Sequence, residues 1–202
     1  MTPLENSPLG TRALRASRCG LLGAAVLIAA SPASAADYTL ALAAGTDSGK
    51  VDCVAGFACE HSSTHFKLAL AYQIDAAIDV QAAYFDGGRF QGGDTTPLGT
   101  AFGGTFKASG IALTVGYRWQ LAPDWSLVAR AGLASVRTRF DYANAVWGSA
   151  SQTTVQPVVG LGLAYALTPA LRLGLDLDLT RIKVHTTHGP LRMVGLATQY
   201  SF

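Results

Sequence analysis

Leu171-Arg172-Leu173-Gly174-Leu175-Asp176-Leu177-Asp178-Leu179 is the stretch whose reading decides the fold. Leucine fills every odd position, and Arg, Gly or Asp fills every even one. On a helix of 3.6 residues per turn these leucines would scatter around the circumference. On a strand successive side chains point to opposite sides, so the leucines line one face and the charges the other. The stretch therefore reads as a strand that is apolar on one side only.

The same period of two recurs on both sides of this stretch. Tyr38, Leu40, Leu42 and Ala44 share a face in the first segment, and Phe66, Leu68, Leu70 and Tyr72 in the second. Ile78 to Tyr84, Ile111 to Trp119, Trp125 to Leu133 and Val155 to Tyr165 alternate in the same way, and Val194 to Phe202 closes the series. Eight such segments are an even number and the smallest barrel size usual in bacterial outer membranes.

A soluble β-sandwich would also alternate, so other features must separate the two. Only 14% of the 202 residues are charged while 50% are hydrophobic, against about 25% charge in a water-soluble domain. Tyr117, Trp119, Trp125, Tyr165, Tyr200 and Phe202 stand at the ends of the apolar faces, where an interfacial girdle belongs. The connections also alternate in length. Short ones fall at 74–77, 120–124 and 167–170, and long ones at 46–63, 87–104, 139–152 and 184–190. Short turns at one end and long loops at the other fit an outer-membrane barrel with its turns and both termini on the periplasmic side. The expected fold is all-β: an eight-stranded antiparallel up-and-down transmembrane barrel over residues 36–202. Pro157 is awkward inside a strand bonded on both sides, so it is expected near the outer rim or beside a bulge.

The first 35 residues read as a secretory signal. Arg12, Arg15 and Arg18 form a basic flank, residues 21–30 an apolar centre, and Ala33-Ser34-Ala35 a small-residue cleavage site. Cys19 precedes the apolar centre, contrary to the order in a lipoprotein. Removing residues 1–35 takes away three Arg and one Glu, which leaves 12 basic and 12 acidic side chains. A mature chain of no net charge argues against a nucleic-acid partner.

The carboxyl end, Val194-Gly-Leu196-Ala-Thr-Gln-Tyr200-Ser-Phe202, resembles the terminal recognition strand of bacterial outer-membrane proteins. In that family a terminal aromatic residue and outward apolar residues at every second position are read by the barrel-insertion machinery. Val194, Leu196, Tyr200 and Phe202 match, and Thr198 departs mildly. Residues 37–202 also resemble the membrane domain of outer membrane protein A and its small relatives, through Gly116-Tyr117-Arg118-Trp119 and Tyr165-Ala-Leu-Thr-Pro169. The resemblance implies a Gram-negative outer-membrane location reached through the periplasm. It also implies lipid and lipopolysaccharide as surroundings, and a barrel that works as a monomer. The larger relatives carry a separate peptidoglycan-binding domain after the barrel; none is expected here, and no cell-wall tether is carried over.

Chemistry is sought on the inward faces and in the loops. Lys67, Asp79, Arg118, Arg130, Arg172, Asp176 and Asp178 are inward by parity, four positive and three negative. Buried charges must pair, so a salt-bridged, largely occluded lumen is expected. Asp79 and Arg118 should be neighbours near the periplasmic end, and Arg130 and Asp176 nearer mid-height. Cys53 and Cys59 are an even pair in an exported chain and are expected to form a disulfide; metal binding with His61 and His65 is the alternative. Ser62, Ser63, His61, His185 and His188 supply residue types for a lipid hydrolase but no recognisable spacing, so no catalytic or metal site and no cofactor is assigned. The glycines at 45, 87, 88, 92, 93, 103 and 104 read as loop punctuation rather than a phosphate loop. The expected function is a non-enzymatic, structural or weakly conducting envelope barrel. Surface attachment through its four long loops and lipid modification are the alternatives.

Overall fold

A computed structural model describes residues 38–202 except 50–55, 57, 96–100, 145–147 and 185–186; the side chains of 94–95, 101–102, 183–184 and 187–188 are also outside the description. The expected signal segment and Cys53 therefore lie outside the described residues. Among those described, eight strands run β1 (Tyr38–Gly49), β2 (Ser62–Gln73), β3 (Ile78–Thr95), β4 (Ala101–Gln120), β5 (Trp125–Tyr142), β6 (Ser149–Ala166), β7 (Leu171–Val184) and β8 (Thr187–Ser201). Each pairs antiparallel with its neighbours in sequence, and β1 pairs with β8, which closes the barrel. At the closure the amide of Phe202 donates to the Tyr38 carbonyl at 2.9 Å, so the last residue fastens directly to the first strand. Closure leaves no free edge at this level, as a sheet in lipid requires.

The alternation follows the barrel wall. Leu42, Leu70, Leu113, Leu133, Leu161, Leu175 and Leu196 are all exposed, and together with their neighbours they form an apolar belt. Ala41, Ala69, Ala112 and Ala134, one residue away, are buried inside. Tyr38 packs on Tyr72 and Trp125 on Tyr165, each with ring centroids 5.1 Å apart, at the end where the turns lie. A belt facing lipid and an aromatic girdle at the interface are the two marks of a membrane barrel.

The long connections are where the structure departs from expectation. β3 and β4 remain paired out to Thr95 and Ala101, so most of 87–104 is strand. Gly92 pairs with Gly104 and Gly93 with Gly103; these glycines are ladder residues, not loop punctuation. β5 and β6 likewise continue to Asp141 and Ser149. β7 and β8 stay in register to Val184 and Thr187, so most of the expected long connection at 184–190 is strand. Beyond the bilayer both faces of a strand are wet. The period-two signal then disappears while the backbone ladder continues.

Two further irregularities set the wall's upper shape. Gly87 and Gly88 oppose the single residue Ala108, a bulge with φ +57° at Gly88. It inverts the parity of β3, so Phe90 turns inward although Phe85 does too. Pro157 is not beside that bulge. The Ala166 amide donates to the Asp124 carbonyl and that of Leu167 to the Leu171 carbonyl, so odd-numbered groups of β6 face β7. Pro157 would offer an amide there, opposite Arg181, and has none. The β6–β7 ladder ends two residues earlier, at Val159 and Leu179. The Pro157 carbonyl accepts instead from the Thr180 hydroxyl at 3.0 Å.

Candidate functional site in the lumen

The inward charges stand in two layers. Near the turns, Arg118 Nη2 on β4 lies 3.6 Å from Asp79 Oδ2 on β3, an ionic contact too long for a hydrogen bond. Arg172, also near this mouth, has no acidic partner among the described residues; its Nη1 donates to Ser201 Oγ at 3.3 Å. The expectation that every inward charge pairs with an opposite one is corrected here: Arg172 is half-buried at the rim, where water can screen it.

The second layer sits higher. Lys67 Nζ is 2.8 Å from Asp176 Oδ2 and also bridges to Asp178 Oδ2. Arg130 Nη1 is 3.9 Å from the other Asp176 oxygen. Lys67, Arg130 and Asp176 are all buried, so the group is a compensated cluster of two cations and two anions. The sheet makes room for it with glycine. A Cβ at Gly116 would stand 2.5 Å from Asp79 Oδ1, and one at Gly160 would collide with Asp178. Gly160 pairs with both Arg130 and Asp178, so the small residue is what admits two long side chains at that height.

Above the charges lies an apolar plug that the sequence reading did not find. Phe85, Phe90, Val136, Val158, Leu191 and Met193 form one cluster, with Phe90 and Leu191 wholly buried. Parity alone would have placed Phe85, Val136, Leu191 and Met193 inward; Phe90 was hidden by the bulge. Between plug and charges remains a void of about 20 Å³, edged by Lys67, Thr114, Arg130 and Met193. That is room for about one water molecule.

Asp47 and His65 are two further inward titratable residues that parity did not assign. Asp47 is 1% exposed, and neither of its oxygens has a hydrogen-bond partner among the described residues. Its neighbours Thr46 and Ser48 face outward, so β1 has already left the apolar belt at this height. Burial pushes the Asp47 carboxyl up to about 6, helped by the nearby Asp86 carboxylate.

His65 is a β2 residue buried on the lumen side, not a loop residue. It stands four residues along the ladder from His61, on the order of 13 Å by strand rise, whereas His61 Nε2 is 3.4 Å from Cys59 Sγ. This removes His65 from the alternative metal set with the cysteines. Ser62 is exposed, and Ser63 Oγ accepts the Arg89 amide at 2.8 Å; the side chains of His185 and His188 lie outside the described residues. At the carboxyl end, Val194, Leu196 and Phe202 are exposed on the belt, and Phe202 stacks on Tyr38 and Tyr200 at 6.2 and 6.3 Å.

Residues 20–202 match the family described as outer membrane protein beta-barrel domain. The chain belongs to that family. Solved structures of small outer-membrane barrels superpose on it. Neisserial surface protein A is 17% identical with a TM-score of 0.58, covering 82% of this chain and 96% of its own. Outer membrane protein OprG of Pseudomonas aeruginosa is 16% identical with a TM-score of 0.53, over 82% and 96%. The amino-terminal barrel domain of OprF from the same organism is 15% identical with a TM-score of 0.50, over 82% and 98%. At such identities the likeness is one of fold. No curated protein matches the sequence significantly. The protein is thus an eight-stranded barrel of the bacterial outer membrane, related to the outer membrane protein A group.

Proposed function

We propose that this outer-membrane barrel is a non-enzymatic structural element of a Gram-negative envelope whose lumen is closed at rest. The observation that supports this is the filled interior: a buried ion-pair cluster roofed by an apolar plug with wholly buried Phe90 and Leu191. An eight-stranded barrel is just wide enough for side chains to fill, and here they do. An ion crossing it would have to part Lys67 from Asp176 and then shed its water against Phe90. Catalysis has no support from Ser63, whose hydroxyl is already engaged by the Arg89 amide.

The same reading includes export by cleavage after Ala35, delivery through the periplasm, and recognition of Val194, Leu196, Tyr200 and Phe202 by the insertion machinery. It also includes a Cys53–Cys59 disulfide in the first loop and a monomeric state. Conductance of the chain in a planar bilayer tests the central claim. A folded, silent barrel is expected; discrete current steps from the unmodified protein would overturn it.

A further inference from the structure

The two rims of the barrel are oppositely decorated. On the turn side the described arginines, Arg118 and Arg172, point inward, and Asp75 and Asp124 are the exposed charges of the turns. On the loop side six cations face outward just above the belt: Arg89, Lys107, Arg137, Arg139, Arg181 and Arg192. Lys107 is bound to Asp86 at 3.1 Å and Arg139 to Asp141 at 2.8 Å. Arg89, Arg137, Arg181 and Arg192 make no ion pair with a described residue.

Arg181 and Arg192 differ from the other two in what lies beneath them. Arg181 pairs with Pro190 and Arg192 with Leu179, so the arginines are diagonal neighbours on one face, roughly 7–8 Å apart by sheet geometry. Leu179 is also a wall of a groove of about 290 Å³, with Ala129, Val159, Leu161 and Leu177 around its mouth and Gly160 and the buried Arg130 at its back. Ala129 is small among larger outward residues such as Val159, Leu161 and Leu177, which is why the surface is hollow there. The groove opens on the apolar belt, where hydrocarbon reaches it.

We propose that Arg181, Arg192 and this groove form a site for one phosphorylated glycolipid of the outer leaflet, of the lipid A type. Its phosphate sits between the two guanidiniums and an acyl chain lies along β6 and β7. Arginine forks suit phosphate oxygens. The vertical order of the site, cation above and hydrocarbon below, matches a lipid standing in the leaflet. The loop side faces the cell exterior in such barrels, which selects the glycolipid leaflet over the inner one.

The test uses the exported protein, reconstituted in phosphatidylcholine vesicles doped with bisphosphorylated lipid A, with bound lipid counted by native mass spectrometry. One retained lipid A per barrel is expected. Arg181→Gln with Arg192→Gln should lower retention by at least about tenfold, the scale of two lost charge-assisted hydrogen bonds. Ala129→Leu, which fills the groove and leaves every charge in place, should lower it as well. Arg89→Gln with Arg137→Gln should leave it unchanged. All five positions face outward, so heat-modifiable gel migration should confirm folding of each variant. Absence of a retained lipid in the unmodified protein would overturn the proposal. So would equal loss in both arginine pairs, or equal retention of phosphatidylglycerol at the same mole fraction, which would mean a general anion collar.

Discussion

Lys67 on β2 reaches across the lumen to Asp176 on β7, with 2.8 Å between Nζ and Oδ2, although β1 and β8 separate the two strands in the wall. The bridge therefore ties opposite walls rather than neighbours. Replacing Lys67 by Met would leave Asp176 and Asp178 buried with only the distant Arg130 contact. Breaking one partner out of a buried pair costs about 3–5 kcal/mol. Urea unfolding of Lys67→Met in lipid vesicles should show a loss of that order. Adding Asp178→Asn should recover part of it; a further loss in the double variant would mean that Lys67 is not neutralised by this pair.

The plug predicts a conducting variant. Phe90→Ala with Leu191→Ala removes two large, wholly buried side chains of the upper cluster, at a cost of several kcal/mol by cavity formation. Current steps absent from the unmodified barrel should appear in planar bilayers. If the folded double variant stays silent, the ion-pair layer beneath closes the lumen alone.

Asp47 predicts a pH dependence of definite sign. Its carboxyl rises from 3.8 to about 6 on folding, so the native state holds its proton more tightly than the unfolded chain. Stability from this group is full below pH 4 and is lost as pH rises through about 6, approaching roughly 3 kcal/mol. Asp47→Asn should match the unmodified protein at pH 4 and exceed it by an amount of that order at pH 7.5. Parallel stability curves at all pH values would show that the buried carboxylate is solvated after all.

Pro157 predicts a local gain. Pro157→Val would supply the missing amide toward the Arg181 carbonyl, and the β6–β7 ladder could extend past Val159. Hydrogen exchange should reveal a new protected amide at 157 and slower exchange at 181. The stability gain should be about 0.5–1.5 kcal/mol, the net worth of one hydrogen bond. Fast exchange at 157 would mean that the twist of the wall, not the proline, ends the ladder.

The lumen shows why the interior was only half legible. The identities of Lys67, Asp79, Arg118, Arg130, Asp176 and Asp178 as inward residues followed from parity alone. Their partners did not, because parity says nothing about which walls face each other across a closed ring. Arg130 and Asp176 do meet near mid-height, yet Lys67 is closer to Asp176 by more than an ångström. Phe90 was unreadable for a different reason. Two glycines in a row shift β3 by one residue, and a one-residue slip exchanges every inside for every outside.

The amino-acid sequence by itself determined the eight strands, their lipid-facing residues, the girdle and the outer-membrane class, because alternation is imposed locally by lipid on one side. It also determined the short turns at 74–77 and 167–170. Only the tertiary structure decided where the strands stop, which charges meet, and that the upper lumen is apolar. Those depend on ladder bonds that continue after the lipid signal ends, and on contacts across the barrel between residues more than a hundred positions apart, such as Lys67 and Asp176.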